Sequence, residues 1–362
     1  MSKSIAISTG GGDAPGLNAV IRAIVRCAIK EYGWEVYGIK TGFDGLLEDS
    51  GVMRLENKDV SGILQKGGTI LGTTSRGNPF RYPVQTDAGV SYRDRSDEMI
   101  HKFNDLGLNG LIAIGGDGTL RIAYELFKKG LPVVGVPKTI DNDLAATDVT
   151  FGFDTAVATA TDALDKLHST AESHHRLMVL EVMGRDAGWI ALHSGVAGGA
   201  DAIVIPEIPF SLEVICNHLR ARKRRGSRFS IIVAAEGAVP QGGDKFLVDK
   251  SDNPSATERY GGIGMWLARQ LELCTGIEAR FVVLGHLQRG GTPTSFDRFL
   301  ATRFGVGAIE LIAEEKFGKM VCFQGRRIES VSLEEATANQ KKVNPKGEKV
   351  RTAEKLGITF GR

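Results

Sequence analysis

Cysteine and histidine are too sparse and scattered in this sequence to build a zinc site or a network of disulfides. The cysteines form no CxxC pair, and the seven histidines form no HExxH motif. These spacings are the usual signatures of zinc ligands, so we do not expect structural zinc. We do not expect a disulfide framework either, and the cysteines should be reduced, packed thiols. The four cysteines are Cys27, Cys216, Cys274 and Cys322.

The sequence also lacks a dominant charge and a long apolar run. Lys and Arg total 45 against 43 for Asp and Glu, so the chain has no overall attraction for nucleic acid. No apolar run approaches the roughly 20 residues that span a membrane, and the N-terminus leads into a predicted strand rather than a signal peptide. We therefore expect a cytoplasmic protein without a nucleic-acid or membrane partner. Its 362 residues favour two domains.

The segment PKTIDND, at residues 137–143, carries the densest chemistry. It follows a short apolar run typical of a buried strand, and open α/β sheets bind ligands beyond the carboxyl ends of their strands. In an extended segment Asp141 and Asp143 would point the same way, as a base and a metal holder. Lys138 and Thr139 would hold an anion beside them, an arrangement that favours phosphoryl transfer to a hydroxyl. The alternative is a polar turn, since Asn and Asp are common turn formers.

Two glycine-rich turns each lie between a predicted strand and a predicted helix. The first contains glycines 10–12, and the second is GGDGT at residues 115–119. Free backbone amides and the helix dipole make such a turn an anion site, although a tight turn without a ligand has the same pattern. Asp117 in a phosphate cradle makes sense chiefly as a Mg²⁺ partner, because it would otherwise repel the phosphate. GGDGT also occurs in NAD kinases and lipid kinases, so it indicates nucleotide phosphates without naming the acceptor.

Strand and helix signals alternate along the chain, which predicts parallel sheets with helices on both faces. Residues 82–95 read as irregular and exposed, and no motif is found after about residue 330. Predicted strands are residues 4–8, 35–39, 111–114, 132–136, 177–182, 230–234 and 281–284, and predicted helices are residues 17–30, 120–129, 154–169 and 212–219. The first helix should bury Leu17, Val20, Ile21, Ile24, Val25 and Ala28.

The motifs, taken in order, resemble the phosphofructokinase family. The match continues through HHR at 174–176, MGR at 183–185, AAEG with Glu236, and GHLQRGG at 285–291, so it covers about residues 8–291. It implies an α/β fold of two similar Rossmann-like, three-layer lobes with mainly parallel sheets and the active site in the cleft between them. The implied phosphoryl-donor lobe is residues 1–152 plus about 288–338, and the implied sugar-phosphate lobe is residues 153–287 plus about 339–362.

The resemblance implies phosphorylation of fructose 6-phosphate at its 1-hydroxyl with Mg-ATP, the committed step of glycolysis. Asp141 matches the catalytic base, and Thr139 and Arg185 match groups that contact the transferring phosphoryl. The residues that match the family's ligands of the sugar phosphate are Arg176, Arg280, His286 and Arg289. Those that match positions lining the sugar are Met183, Gly184 and Glu236. Those that match the donor site are Gly11, Gly12, Arg76, Gly116, Asp117, Gly118 and Thr119. Asp117 matches the residue that positions Mg²⁺, and Asp143 supports it. Some family ligands cross a subunit interface, which implies a homodimer or homotetramer.

Two positions bear on whether the donor is ATP or diphosphate. Family members that use diphosphate carry Asp at the position of Gly118, where a carboxylate fills the space of the α-phosphate of ATP and repels it. Gly118 leaves that space open and favours ATP. Lys138 instead resembles the diphosphate users, but a lysine near the transferring phosphoryl suits both donors. ATP is therefore the expected donor, and a reversible, diphosphate-dependent transferase is the alternative.

Other interpretations attach to the cations and to the shared turns. Arg22 and Arg26 match an effector cleft of bacterial family members, but His168 stands where another arginine is expected. The run RARKRRGSR, at residues 220–228, reads as a solvated helix end, with part of an effector site as the alternative. Two other classes of protein fit the sequence less well.

A nucleotide kinase of the GGDGT type would not need the motifs PKTIDND, MGR and GHLQRGG. A noncatalytic subunit should have lost the base or the metal carboxylate, whereas Asp141 and Asp117 are both present.

Overall fold

The computed structural model describes residues 2–86, 89–249 and 259–362. Its strands, in chain order, are β1 (Ser4–Thr9), β2 (Glu35–Ile39), β3 (Val52–Leu55), β4 (Tyr82–Thr86), β5 (Gly89–Arg93), β6 (Gly110–Gly115), β7 (Val133–Pro137), β8 (Leu177–Val182), β9 (Ala202–Val204), β10 (Ser230–Ala235), β11 (Leu247–Asp249), β12 (Arg259–Tyr260), β13 (Ala279–Val283), β14 (Lys319–Gln324) and β15 (Arg327–Ser332). The helices are α1 (Leu17–Tyr32), α2 (Ser96–Asp105), α3 (Asp117–Lys128), α4 (Phe153–His174), α5 (Trp189–Ala197), α6 (Leu212–Arg224), α7 (Ile263–Thr275), α8 (Ser295–Ala313), α9 (Leu333–Ala338) and α10 (Glu348–Lys355). Among these described helices, none has the length and apolar character needed to cross a membrane.

The chain forms two units that interleave in sequence. The first unit comprises Met1–Thr139, Leu144–Asp154 and Arg289–Gln340, and the second comprises Ile140–Asp143, Thr155–Gln288 and Lys341–Arg362. Each unit has its own sheet of mainly parallel strands, with two buried apolar clusters in the first unit and one described in the second.

The first unit is built on a sheet with the strand order β15-β14-β7-β6-β1-β2-β3. The pairs from β14 through β2 are parallel, and β15 and β3 add antiparallel edges. The inner strands β1, β6 and β7 are buried on both faces, which explains their continuous apolar sequences. Helices α1 and α8 contribute to the apolar cluster on one face, and α2, α3 and α9 contribute to the cluster on the other. The prediction of helices on both faces is confirmed for this unit.

The first helix buries the face that the sequence predicts. Leu17, Val20, Ile21, Ile24, Val25 and Ala28 are all buried. A Cβ built on Gly305 of α8 would lie 2.9 Å from the carbonyl oxygen of Val20, so glycine lets α1 and α8 approach closely.

The second unit is built on a sheet with the strand order β13-β8-β10-β9, in which all pairs are parallel. Leu177 and Val179 of β8 pack into a cluster with Ile215 of α6 and Leu267 of α7. Helix α5 packs against β9, because a Cβ on Gly195 would come within 2.6 Å of Ile203.

Two predictions about local structure are wrong. Residues 82–95, expected to be irregular, contain the antiparallel pair β4 and β5, which begins with Tyr82 opposite Arg93. The prediction missed both strands, which are only five residues long each. The prediction of four reduced thiols fails for two of them, because a disulfide joins Cys216 of α6 to Cys274 of α7, while Cys27 and Cys322 are free thiols. The two cysteines lie 58 residues apart in sequence, and only the packing of both helices on one sheet face brings them together.

Candidate active site

The glycine turn that follows β1 is held in the first unit by a neighbouring loop. Gly11 has a φ of 77°, which favours glycine, and its amide donates to the carbonyl oxygen of Thr74 at 2.9 Å. The hydroxyl of Thr73 donates to the carbonyl oxygen of Gly11 at 2.6 Å. Arg76, the expected donor ligand, follows in the same loop with an exposed side chain. The loop therefore brings this cation to the segment that binds the glycine turn.

The GGDGT turn packs against the first glycine turn. Gly116 precedes α3, and Asp117 is the first residue of that helix. Thr119 is buried, and a Cβ built on Gly10 would lie only 2.7 Å from its hydroxyl oxygen. Thr119 therefore fits only because residue 10 is glycine, and the two turns form one cradle at the carboxyl ends of β1 and β6. A helix N-terminus beside such a cradle favours an anion.

Gly118 differs from its neighbours because it is open. It is exposed, and among the described residues no heavy atom lies within 4 Å of a Cβ built there. Glycine at this position is not required by packing inside the protein. A larger side chain would extend into space that a ligand of the cradle can use.

Asp117 is the carboxylate of the cradle. Its side chain is 25% exposed, and the Nε atom of Arg121 donates to both of its oxygens, at 3.0 and 2.9 Å. Arg121, one helical turn along α3, therefore orients the carboxylate. In the described parts of the chain, no three His, Cys, Asp or Glu side chains cluster as metal ligands.

Two cations lie against the first glycine turn. Lys138, at the end of β7, is 3% exposed, and its ammonium group donates to the carbonyl oxygen of Gly12. A Cβ built on Gly12 would lie 2.6 Å from the Nη1 atom of Arg289, and this Nη1 donates to the carbonyl oxygen of Asp13 at 3.1 Å. A lysine and an arginine at a cradle of backbone amides make a strong site for a phosphate.

Thr139 lies beside the same cradle in the first unit. A Cβ on Gly116 would lie 3.8 Å from the Cβ of Thr139, and the hydroxyl of Thr150 donates to the carbonyl oxygen of Thr139 at 2.7 Å. The structure therefore brings together seven of the predicted residues in this unit, namely Gly11, Gly12, Gly116, Thr119, Lys138, Thr139 and Arg289.

In the second unit, the MGR turn is built on Glu236. Met183 follows β8, and Gly184 and Arg185 have φ values of 144° and 51°. The amide of Arg185 donates to the Glu236 carboxylate at 3.0 Å. A Cβ on Gly237 would lie 1.9 Å from the carbonyl oxygen of Arg185, so glycine is required after Glu236. The carboxylate therefore fixes the turn that presents the Arg185 side chain.

Burial raises the pKa of Glu236 to about 7. Hydrogen bonds from the backbone of Arg185 and Gly184 oppose this rise, and the nearby negative charge of Asp141 adds to it. The effect of Asp141 means that the predicted base and the predicted sugar ligand share one electrostatic environment. The carboxyl of Glu236 therefore titrates near neutral pH.

The IDND segment is not extended, which corrects the expectation that Asp141 and Asp143 point the same way. Asn142 between them has a φ of 52°, in the left-handed region. Asp141 is 5% exposed. The carbonyl oxygen of Asp143 accepts from the amide of Lys341 at 2.7 Å, and the amide oxygen of Asn142 accepts from the Lys341 ammonium at 2.8 Å. Lys341 was not predicted, because it lies in the C-terminal segment, where no motif marks it.

Two of the predicted sugar-phosphate ligands share one carboxylate. The Nε atom of Arg176 donates to Glu278 at 2.7 Å, and the Nη2 atom of Arg280 donates to the other oxygen of Glu278. Glu278 therefore holds the two guanidinium groups near each other, as a phosphate would require. Glu278 was not predicted, although a carboxylate two residues before Arg280 is a visible signal. His286 lies exposed in the single helical turn Gly285–Gln288 and, in the described part of this unit, makes no hydrogen bond with that pair.

The basic run at residues 220–228 is partly engaged in the fold. Arg220 donates to the carbonyl oxygen of Cys274, and Arg222 pairs with Asp201 at 2.7 Å. Most of the run belongs to α6, which continues to Arg224 and is longer than predicted. His168, at the expected effector position, lies 2.7 Å from the carbonyl oxygen of Gly198.

Comparison with known sequences shows which proteins this chain is similar to. Residues 4–312 match the family model described as Phosphofructokinase. The chain is 53% identical over 357 residues to a Chloroflexus aurantiacus protein named ATP-dependent 6-phosphofructokinase, and the match covers 99% of this chain and 97% of that protein. It is 51% identical over 358 residues to a Streptomyces coelicolor protein named pyrophosphate–fructose 6-phosphate 1-phosphotransferase, and that match covers 99% of both.

Solved structures show the same fold. Phosphofructokinase from Pichia pastoris in the T-state has a TM-score of 0.80 and 32% identity, and the match covers 93% of this chain. This chain spans 36% of that longer chain. The pyrophosphate-dependent phosphofructokinase from Marinobacter aquaeolei has a TM-score of 0.80, with 22% identity and coverage of 99% of this chain and 92% of its own.

Proposed function

Because the chain belongs to the phosphofructokinase family, we propose that it transfers the γ-phosphoryl group of ATP to the 1-hydroxyl of fructose 6-phosphate. The bond between the γ-phosphorus and the bridging oxygen of ADP breaks, and a bond from the sugar oxygen to phosphorus forms. The hydroxyl gives up its proton, and the products are ADP and fructose 1,6-bisphosphate. The reaction is the committed step of glycolysis.

The observation that carries the choice of ATP is the open space at Gly118. Residues on either side of it form the phosphate cradle, yet a Cβ at this position has no described neighbour within 4 Å. The α-phosphate and nucleoside of ATP need such space beyond the transferring group, whereas diphosphate does not. A glycine here leaves the site able to accept the larger donor.

In this proposal the second unit supplies the base and most of the sugar ligands, and Thr139 and Arg289 come from the first unit. Asp141 accepts the proton of the 1-hydroxyl, a contribution typically worth about 10² to 10⁴ in rate. Arg185 and Thr139 contact the transferring phosphoryl and stabilise its charge. The sugar contacts Met183, Gly184 and Glu236, and the 6-phosphate binds the cations Arg176, Arg280, His286 and Arg289.

Asp117 is the residue that would hold Mg²⁺. Mg²⁺ is usually bound by one or two carboxylates together with substrate phosphates and waters, so one oriented carboxylate beside a phosphate cradle fits. The Nε atom of Arg121, which is shared between both carboxylate oxygens, supplies that orientation. When bound, the ion neutralises charge on the donor phosphates.

Lys138 supports diphosphate as the second candidate donor. Its buried ammonium group lies at the glycine turn, where it suits any donor that presents a phosphoryl group. The Streptomyces coelicolor relative is named for the diphosphate reaction at nearly the same identity as the relatives named for ATP. Lys138 therefore does not decide between the donors, and Gly118 does.

The deciding experiment supplies ATP and diphosphate separately, at equal concentration, with fructose 6-phosphate and Mg²⁺. Formation of fructose 1,6-bisphosphate is measured in each case. We expect product with ATP. Product with diphosphate alone would make the enzyme a reversible diphosphate transferase, and no product with either donor would contradict the catalytic assignment.

The proposal includes a homodimer or homotetramer in the cytoplasm, where glycolytic sugar phosphates are made. Strand β13 is an end strand of its sheet, and its side chains Phe281, Val282 and Val283 are exposed by 42%, 37% and 52%. An exposed apolar edge strand is a ready surface for pairing with a second copy of the same chain. Arg280 lies on this strand, so pairing would place a predicted sugar-phosphate ligand at the interface.

A further inference from the structure

Lys341, in the C-terminal segment, is held from both sides by other parts of the second unit. The amide of Lys341 donates to the carbonyl oxygen of Asp143 at 2.7 Å, and its carbonyl oxygen accepts from the indole nitrogen of Trp189 at 2.9 Å. Both backbone hydrogen-bonding groups of Lys341 are therefore used by segments far away in sequence. These segments follow the predicted base on one side and the MGR turn on the other.

The side chain of Lys341 adds a charge-assisted hydrogen bond. Its ammonium group donates to the amide oxygen of Asn142 at 2.8 Å and lies 6.0 Å from the centre of the Trp189 ring. Asn142 is the residue with a φ of 52°, directly after Asp141. An asparagine tolerates this conformation but does not enforce it. A contact that holds its side-chain amide therefore also restricts the orientation of the preceding residue, Asp141.

A half-buried carboxylate binds the same segment two residues later. Glu207 accepts from the amide of Val343 at 2.8 Å and from the amide of Gly188 at 3.0 Å. Gly188 immediately precedes α5, which begins with Trp189. Residues 341–343 therefore bind the segment of the predicted base and the start of the helix that follows the MGR turn.

We propose that Lys341 is a positioning residue for phosphoryl transfer, which holds Asn142 and thereby sets the orientation of the Asp141 carboxyl. This inference rests on the proposed function, because that function makes Asp141 the base. Lys341 acts through Asn142 and needs no contact with the substrate. Small misplacements of a reacting group can cost about 10²-fold in rate, so loss of the ammonium group should lower kcat and leave substrate binding unchanged.

The test compares Lys341→Met, Asn142→Gly and the double variant with the wild-type enzyme. Glycine accepts a φ of 52° without strain, so Asn142→Gly removes the amide and keeps the backbone free to adopt its shape. We expect each single variant to lower kcat roughly 10- to 100-fold, with the KM values of both substrates within about threefold of wild type. The double variant should lose no more than the more impaired single variant, because the two side chains act through one contact.

Lys342→Met is the matched control, since Lys342 is the adjacent residue and is exposed. Its kcat should equal that of wild type. If Lys341→Met does not fold, Lys341→Gln keeps a hydrogen-bond donor without the charge and is measured in its place. A variant of Lys341 that lowers the melting temperature but keeps kcat would show a structural role only and would overturn the proposal, as would additive losses in the double variant.

Asp141→Ser separates failure of this inference from failure of the proposed function. If the wild-type protein forms no fructose 1,6-bisphosphate, the proposed function is contradicted. If the Asp141→Ser variant keeps normal turnover, Asp141 is not the base. Either outcome also removes the basis of the inference about Lys341. Active wild-type enzyme, an inactive Asp141→Ser variant and a normal Lys341→Met variant would reject the inference alone.

Discussion

Glu236 shows how one residue links the stability of the fold to the predicted sugar site. Its side chain is half-buried, and this burial raises the pKa of the carboxyl from the ordinary value of 4.5 to about 7. The folded protein therefore keeps the proton at a pH at which the unfolded chain has lost it. The contribution of this group to stability is full below pH 4.5 and falls as the pH rises to about 7.

The variant Glu236→Gln should become more stable than wild type as the pH rises. Glutamine resembles the neutral acid and cannot ionise, so the difference in the free energy of unfolding should be small near the unfolded pKa. It should grow to at most roughly 3 kcal/mol above the folded pKa, because a tenfold change in proton affinity corresponds to about 1.4 kcal/mol. Urea unfolding across the range from the unfolded to the folded pKa measures this difference.

Glu278→Gln is the control for that experiment, because the pKa of Glu278 lies on the other side of its ordinary value. The hydrogen bond from Arg176 lowers the pKa of Glu278, so its contribution to stability is present above the unfolded pKa and is lost as the pH falls. From about one pH unit above the unfolded pKa, where the carboxylate is ionised in both states, the effect of Glu278→Gln should not change with pH. A pH-independent difference for Glu236→Gln would show that the Glu236 carboxyl does not titrate near neutrality.

The open space at Gly118 should determine whether the cradle accepts ATP. An aspartate there would place a carboxylate in the open space next to the cradle and repel the α-phosphate of ATP. We expect Gly118→Asp to reduce kcat/KM for ATP at least roughly 10-fold, with the KM for fructose 6-phosphate near that of wild type. Gly118→Asn is the matched control, since it has the same volume without the charge. An unchanged rate of ATP use would refute the argument from space and charge.

At the scale of elements, local patterns predicted strands well and distant contacts poorly. The bounds of β2 and β8 agree with the prediction. Every residue of β8 is buried, whereas Glu35 and Tyr37 of β2 are half-buried. The antiparallel pair of β4 and β5 was missed, since its residues occupy half-buried and exposed positions without a continuous apolar run. The family resemblance that supplied the site residues is confirmed by comparison with known proteins, and their individual roles stay predictions.

Contacts that join segments far apart in sequence leave no local pattern. Lys341 binds Asn142 across 199 residues, and Glu207 binds Val343 across 136. No periodicity or motif relates such positions, so the fold alone reveals them. The same reason explains why Cys216 and Cys274 were expected to be free thiols.

The disulfide between α6 and α7 should stabilise the fold. In the chain-entropy account, a loop closed across 58 residues stabilises the fold by about 4 kcal/mol. Dithiothreitol should therefore lower the melting temperature of the wild-type protein by several degrees. The variant with Cys216→Ser and Cys274→Ser should melt at that lower temperature with or without the reductant.

Cys27→Ser is the control, because Cys27 is a free thiol in the other unit, and it should keep the full response to dithiothreitol. Alkylation of both Cys216 and Cys274 in denatured, unreduced protein would contradict the disulfide. Since disulfides are rare in a reducing cytosol, the redox state of this pair in cells also tests the proposed location.

Strand β13 presents a surface on which two copies of the chain could pair. It carries the predicted ligand Arg280 and presents apolar side chains at the edge of its sheet. Monomeric proteins usually protect such edges with charges, bulges or covering segments. A sheet that ends in an exposed apolar strand therefore favours a symmetric pair of subunits, in which each copy covers the same strand of the other.

A lysine on this strand should prevent assembly. Val283 is 52% exposed, and Val283→Lys would place like charges near each other if two copies of β13 pair across a twofold axis. We expect light scattering to give the mass of a dimer or tetramer for wild type and of a monomer for the variant. The KM for fructose 6-phosphate should rise at least roughly 10-fold, because the 6-phosphate would lose a cation supplied through the interface. Leu273→Lys, on α7 and 80% exposed, is the matched control and should keep the wild-type mass. A monomeric wild-type protein, or a Val283→Lys variant that stays assembled, would show that β13 is not the surface that joins the subunits.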